Sequence, residues 1–384
     1  MNRKLKILMI SPQFRPLVGG YEKAAERLAI ALTKKGHQVQ IVTERRDRSW
    51  PKIEQIGQAT LLRLWCIFRP GVHKFSSLFS LFLFLITRGW RFDIWHVHQY
   101  GDYAGLAILI GKILRRPVIF KVTSSGSMGL KPVIAQTRLP RINRFLHRRA
   151  AGVAALTVQT QIEAIDFGVP AERVHIIGNG VDTDRFHPVD PNTRQQLRNE
   201  LGLADRRYAI FVGRFCEAKN TMGLVQAWKL ALQSLPESWD LIMLGEGSDW
   251  QKVFDYCHQN QLQTRVHLVG QQHSVEKWLQ IADINILSSW NEGMSNALLE
   301  AMACGLPTVA TRVSGVAELI ENEEAGIGVP IGDMPALGNA ILKLALNDPQ
   351  RKQAGENARR IIEGRYSLAS NMTAYERLYF QLCR

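Results

Sequence analysis

Two doubly wound α/β domains, each a parallel sheet covered by helices on both faces, are predicted for this 384-residue chain from three observations. Short Val- and Ile-rich runs alternate with amphipathic stretches along the whole length, as expected of parallel strands buried on both faces. These runs fall into two series, and between them residues 178–192 are rich in Gly, Pro and Asp and read as a linker. At roughly 150 residues per domain, the length has room for two or three cores.

In the first series, strands are expected at 6–11, 39–43, 94–98, 118–123, 153–157 and 174–177, with the clearest helix at 21–35, closed by Gly36. The second starts at 208–213 and continues through 241–244, 266–270, 284–288 and 308–311. Near the end, Leu368, Met372, Tyr375, Leu378, Tyr379 and Leu382 recur at spacings of three and four and predict an amphipathic helix. The division is therefore 1–180 for the first domain and 181–365 for the second, with the final helix at 366–384.

Charge separates the halves. The net charge is +14, but residues 1–184 hold 28 basic and 12 acidic side chains, whereas 185–384 hold 20 and 22. A basic half attracts nucleic acid, an anionic membrane surface or an acidic substrate alike. The five cysteines are scattered, with no CxxC pair, which suits a reducing compartment. No run near the start is long enough for a signal-peptide core, so a cytoplasmic protein is expected. Residues 75–86 carry no charge. As a helix they would reach only about 18 Å, against roughly 30 Å of hydrocarbon, and read as a buried or interfacial helix.

Ligands of open parallel sheets lie beyond the carboxyl ends of the strands. Gly19-Gly20 ends the loop after the first strand and precedes a helix, where bare backbone can approach a phosphate; a tight turn is the plain alternative. No G-x-G-x-x-G occurs there, which counts against a dinucleotide site. His96 and His98 share one face of a strand, with His98 at its carboxyl end, placed to bond a hydroxylated substrate. No third ligand stands near them for a metal.

Arg214 and Lys219 follow the first strand of the second series. Arg can grip a diphosphate with two parallel hydrogen bonds and Lys adds a point charge, though such a pair alone also suits a solvated surface. Residues 288–307 read strand, loop, helix, strand, with Ser295 as N-cap. Glu292 in the loop and Glu300 in the helix can reach one ligand over the helix start, where the amides of Gly293, Met294 and Ser295 would meet a phosphate or sugar oxygen. Carboxylates are the acceptors that sugar and ribose hydroxyls require.

The segment EGMSNALLEAMACGLP at 292–307, with GNGVDTDRF at 178–186, VGRFCEAK at 212–219, Gly19-Gly20 and HVH at 96–98, resembles the retaining family 4 glycosyltransferases of the GT-B fold. The resemblance runs from about residue 6 to 380. It implies two Rossmann-like domains facing a cleft, a nucleotide-sugar donor held by the second, an acceptor by the first, and a final helix crossing back to the first. Arg214 and Lys219 would then bind the diphosphate, Glu300 the ribose, Glu292 the transferred sugar, Gly20 the phosphate side and His98 the sugar near the reacting carbon. The donor would be a co-substrate carrying UDP or GDP, with no cofactor and no metal. Asp182-Thr-Asp184 looks like a metal-binding DxD, but it sits in the linker of a chain whose cations already suit a leaving diphosphate. Thr123-Ser-Ser-Gly126 and Ser314-Gly315 depart from the family's usual Thr-x-His-Gly and Gly-Gly.

The expected activity is sugar transfer to a glycan or lipid-linked hydroxyl, in cell-surface polysaccharide or glycolipid synthesis, with possible peripheral contact at the cytoplasmic face of an anionic membrane. A nucleotide-sugar epimerase or hydrolase and a non-catalytic carbohydrate-binding subunit are the alternatives. A nucleic-acid partner is not expected, because no reading motif accompanies the charge.

Overall fold

The computed structural model describes residues 3–17, 19–321 and 324–383. It divides into two compact units, one made of Met1–Gly180 with Leu368–Arg384 and the other of Val181–Ser367. Arg384, assigned from sequence to the final helix, lies outside the described residues.

The first unit carries strands β1 (Lys6–Ile10), β2 (Gln38–Arg45), β3 (Ile53–Ile56), β4 (Ala59–Trp65), β5 (Ile94–Val97), β6 (Val118–Val122), β7 (Gly152–Ala155) and β8 (Val174–Ile176). They form one sheet in the order β3-β4-β2-β1-β5-β6-β7-β8. Every neighbouring pair is parallel except β3 with β4, which form an antiparallel edge hairpin turning through Gly57 at φ +59°. Neither strand of that hairpin was expected from the sequence. β3 is the edge strand, and its Glu54 and Gln55 interrupt any apolar run, so the hairpin that pairs it with β4 gives little signal.

Alternation along each strand supplies two cores. Ile7 and Met9 point to one face, packed under helix α1 (Gly20–Lys34) and the C-terminal helix Leu368–Leu382. Leu8 and Ile10 point to the other, covered by helices α2 (His73–Arg88) and α3 (Asp102–Ile113). Residues 75–86 therefore do lie in a helix with one buried face; the other face is exposed.

Strands β9 (Arg207–Val212), β10 (Trp239–Leu244), β11 (Val266–Gly270), β12 (Ile284–Leu287), β13 (Thr308–Thr311) and β14 (Gly326–Val329) make the second sheet, all parallel, in the order β11-β10-β9-β12-β13-β14. β14 escaped the sequence reading because two of its four residues are Gly. Gly326 is required by close approach, since a Cβ there would lie 1.9 Å from the Thr308 carbonyl oxygen.

The C-terminal helix is amphipathic as its apolar spacing predicts, and it packs on the first unit with Met372, Tyr375, Leu378 and Tyr379 all buried. It starts at Leu368 rather than 366, because Ile362–Tyr366 prolong the preceding helix Asp348–Ile361 by a wide π-type turn. Polar groups fix its register. Tyr379 and His96 Nδ1 share a buried hydrogen bond of 2.7 Å, and His37 Nε2 meets Glu376 at 2.9 Å. Removing one partner of a buried bond leaves the other unsatisfied, so Tyr379→Phe should lower the unfolding free energy by about 1–3 kcal/mol in urea titration. Unchanged stability would mean that the bond contributes nothing.

Candidate functional site

In the second unit, two strand exits are bound to one another. β9 leads into Gly213 and the exposed Arg214, and a short turn, Glu217–Lys219, brings the chain to Asn220. Asn220 is left-handed, at φ +49°, and its side chain accepts the Gly223 amide at 3.2 Å to start the helix Thr221–Ala231. At the exit of β12, the buried Ser288 hydroxyl lies 2.9 Å from the Lys219 carbonyl and 3.1 Å from that of Asn220. The Thr311 hydroxyl donates to the Ser289 carbonyl at 2.7 Å, and the Trp290 amide donates to the Ala218 carbonyl at 2.9 Å.

This stitching sets Glu292 against Lys219 as an ion pair, with the Ser289 hydroxyl donating to the same carboxylate oxygen at 3.0 Å. Gly293, Met294 and Ser295 are buried beside it. Ser295 caps the helix Asn296–Ala303 as expected, accepting the Leu298 amide at 3.4 Å, and Glu300 lies buried in that helix. Lys219, Glu292, Ser295 and Glu300 thus belong to two adjoining strand exits. The cation and carboxylate expected to hold different parts of one ligand are paired with each other, so an anionic ligand reaching Lys219 would compete with Glu292.

Sequence reasoning missed Gly245-Glu246-Gly247, at the exit of β10. Gly245 has φ +126°, and a Cβ there would lie 1.9 Å from the Gly213 carbonyl oxygen. The Glu246 carbonyl accepts the Phe215 amide at 2.9 Å, holding this turn beside Arg214. The signal was a G-x-G directly after an apolar strand.

In the first unit, Gly19 is the extended N-cap of α1 and Gly20 its first residue. A Cβ on Gly19 would lie 2.6 Å from a Glu22 carboxylate oxygen, so the glycine makes room for an acid at the helix start. Burial and the neighbouring Glu22 push the Tyr21 hydroxyl pKa up. His98, which the sequence places at the carboxyl end of β5 to bond a hydroxylated substrate, is 1% exposed. Its ring stacks on that of His96 at 4.0 Å, and neither of its ring nitrogens has a hydrogen-bond partner. Burial and the adjacent Lys121 hold the pKa of both imidazoles well below the ordinary histidine range, so both rings are neutral.

Lys121 is a second group that the sequence did not single out, a lone cation in the apolar run of β6. It is 3% exposed, donates to Asn179 Oδ1 at 2.7 Å, and burial pushes its pKa down to about 7.

Among the described residues, the ligand atoms of Glu44, Cys66 and His73 are close enough to share a cation. They do not suit one. The Glu44 carboxylate already accepts from Arg46 Nε at 2.7 Å and from the Tyr103 hydroxyl, and the guanidinium opposes a dication at that oxygen. In the DxD-like stretch, Asp182 Oδ1 accepts the amides of Asp184 and Arg185, both at 3.2 Å, which shapes a turn.

Residues 193–361 match the family model of glycosyl transferases group 1, and 19–180 match that of a glycosyl transferase 4-like domain. N-acetyl-alpha-D-glucosaminyl L-malate synthase of Bacillus anthracis is 22% identical over 374 residues, 96% of each chain. UDP-Gal:alpha-D-GlcNAc-diphosphoundecaprenol alpha-1,3-galactosyltransferase of Escherichia coli is 26% identical over 214 residues, 55% of this chain and 54% of that protein. HepE of Anabaena, solved in complex with UDP-glucose, has the same fold, with a TM-score of 0.78 at 21% identity over 98% of this chain and 99% of that one.

The buried lysine gives stability a pH dependence of fixed sign. Between about pH 7 and the ordinary lysine range, the unfolded chain binds a proton that the folded chain does not, so stability rises with pH across that window and the full cost of burial applies below it. Lys121→Met removes this slope. Thermal unfolding should show the variant's advantage over the natural chain shrinking from about pH 6 to about pH 9; parallel curves would show that Lys121 does not titrate there.

Proposed function

The chain belongs to the group 1, family 4 glycosyltransferases of the GT-B fold, and from that membership we propose that it moves a sugar from a nucleoside diphosphate to a glycan or lipid-linked hydroxyl, with retention at the anomeric carbon. The observation that carries this reading is the joined exit of β9 and β12, where Arg214, Lys219 and Glu292 lie on two loops bound to each other and Glu300 lies in the helix that follows the second.

Arg214 and Lys219 bind the diphosphate and stabilise its growing charge as the bond to the sugar breaks, a task that needs no metal here. Glu300 accepts the ribose hydroxyls. Glu292, released from Lys219 by the incoming phosphate, accepts from the transferred sugar. The acceptor hydroxyl oxygen attacks the anomeric carbon on the face the diphosphate leaves. Its proton passes to the departing phosphate oxygen, so the carbon–oxygen bond to phosphate breaks as the glycosidic bond forms. His98, neutral, serves the sugar beside the reacting carbon, and Gly19 and Gly20 serve the phosphate side.

A UDP donor is favoured by the Anabaena protein's ligand, and a lipid-linked acceptor by the activity in the Escherichia coli relative's name. The basic first half supports work at an anionic membrane face, in cell-surface glycan or glycolipid synthesis. Five unpaired cysteines support a reducing, cytoplasmic setting. No helix among the described residues is long and apolar enough to cross a membrane.

A panel of nucleotide sugars should yield one that raises the melting temperature in proportion to its occupancy. With that donor, Arg214→Ala and Lys219→Ala should each weaken binding by about 2–5 kcal/mol, because truncation leaves phosphate charge unpaired. Unchanged affinity in both would remove the diphosphate assignment. Donor incubated without acceptor should persist; rapid conversion would favour the epimerase or hydrolase reading. Product analysis should give the donor's own anomer, and EDTA should leave transfer intact. Glu300→Ala should mainly raise the donor KM and Glu292→Ala mainly lower kcat; the opposite split would exchange their roles.

A further inference from the structure

Helix α2 buries Leu81, Phe84 and Leu85 in the core, yet it is apolar on its outer side as well. Its buried side includes Ser76, Ser77 and Ser80, whose hydroxyls fold back onto the carbonyls of His73, Lys74 and Ser77 at 3.0, 3.2 and 3.0 Å. Its exposed side presents Phe75, Phe79, Leu83 and Ile86 at helical spacing, and Trp90 follows, 53% exposed. Water selects the reverse arrangement, and a contiguous exposed apolar stripe marks an interaction surface. α3 packs alongside α2, and the helix Pro140–His147 alongside α3; these two also carry exposed apolar side chains, Ile113, 67% exposed, and Phe145, 54% exposed.

The stripe ends at a cationic cavity of about 400 Å³, at the amino-terminal edge of β6 and β7. Lys112, Arg115, Arg116, Arg149 and Arg173 line it and no carboxylate does. None of the five forms an ion pair with another described residue. Arg116 donates to the Trp90 carbonyl at 2.8 Å, which joins the cavity to the end of α2. The dipole at the end of α3 accounts for Lys112 and Arg115, but not for Arg149 and Arg173, which come from other segments. From residue 55 to 92, moreover, the sequence holds no Asp or Glu.

We propose that this face docks on an anionic phospholipid surface, with the α2 stripe entering the interface, Trp90 at headgroup depth and the cavity taking a lipid phosphate. Aromatic side chains with a polar edge favour that depth, and an amphipathic helix lying in the interface gains from both apolar burial and anionic lipid. Charge complementarity selects the lipid surface over an apolar protein partner. The proposal deepens the reading of work at a membrane face and places the phosphate-binding cavity at the end of the strands opposite His98 and Gly20.

Sedimentation of the full chain with phosphatidylglycerol-containing and pure phosphatidylcholine vesicles across a salt series tests this. Binding should require the anionic lipid and weaken as salt rises. The double variant Phe75→Ser/Phe79→Ser, altered only at exposed positions, should lose binding by roughly tenfold or more, and Arg115→Gln/Arg149→Gln should flatten the salt dependence. Both should keep the natural melting temperature and donor stabilisation, measured without vesicles. Failure of the natural chain to bind at low salt sinks the membrane reading altogether, whereas binding that survives both variants sinks only this face. Stabilisation by inorganic phosphate without vesicle binding would assign the cavity to a free anion, and a dimer abolished by the serine variant would assign the stripe to a second copy; either overturns the proposal. Loss of donor stabilisation in the natural chain would instead strike at sugar transfer and leave the vesicle result standing.

Discussion

The buried Ser288 hydroxyl lies within hydrogen-bond reach of two backbone carbonyls, those of Lys219 and Asn220. A buried hydroxyl without a partner is costly, and so are unsatisfied carbonyls, so the exit of β12 and the loop after β9 are held together wherever this unit is folded. Everything chemical in the second unit hangs from that junction. It brings Glu292 to Lys219, it sets the entry of the helix capped by Ser295, and it leaves Arg214 exposed beside the tight turn at Gly245. Altering Ser288 would therefore disturb residues that it never touches.

Much of the architecture was legible because parallel strands buried on both faces leave continuous apolar runs, and the helices between them keep a 3.6-residue period. What escaped notice shares a physical cause. β3 and β14 are short, lie at sheet edges and include residues that strand propensity disfavours, so their pairing, and the recognition of β4 beside β3, depends on neighbours that sequence alone does not supply. At the candidate site, Arg214, Lys219, Glu292, Ser295 and Glu300 were singled out because each comes after a strand. The pairing of Lys219 with Glu292 was not foreseen, because the two loops are joined through backbone carbonyls, which carry no signature in side-chain identity. Lys121 was passed over because one cation in an apolar run looks like noise until its burial and its bond to Asn179 are seen.

The same limit explains the histidine pair. Alternation placed His96 and His98 on one face correctly, but the helix that covers that face comes from the far end of the chain, so burial could not be read locally. Tyr379 from that helix bonds His96, while His98 stacks on His96 with neither ring nitrogen bonded. One ring is committed to structure and the other is not, a difference that residue type conceals.

Because the first unit is assembled from both ends of the chain and the second from a continuous stretch, the two cannot mature in the order in which they are synthesised. Residues 181–367 contain all the strands and helices of their own sheet and can close as soon as they leave the ribosome. The earlier-made 1–180 can cover the sheet face of Ile7, Met9 and Ile119 with α1 alone and must wait, its apolar face partly open, until residues 368–383 arrive. Such a closure joins residues hundreds of positions apart, the kind of contact that forms slowly. A nascent chain of this design carries an open apolar surface for most of its translation, which makes the first unit the half that a holding chaperone would meet.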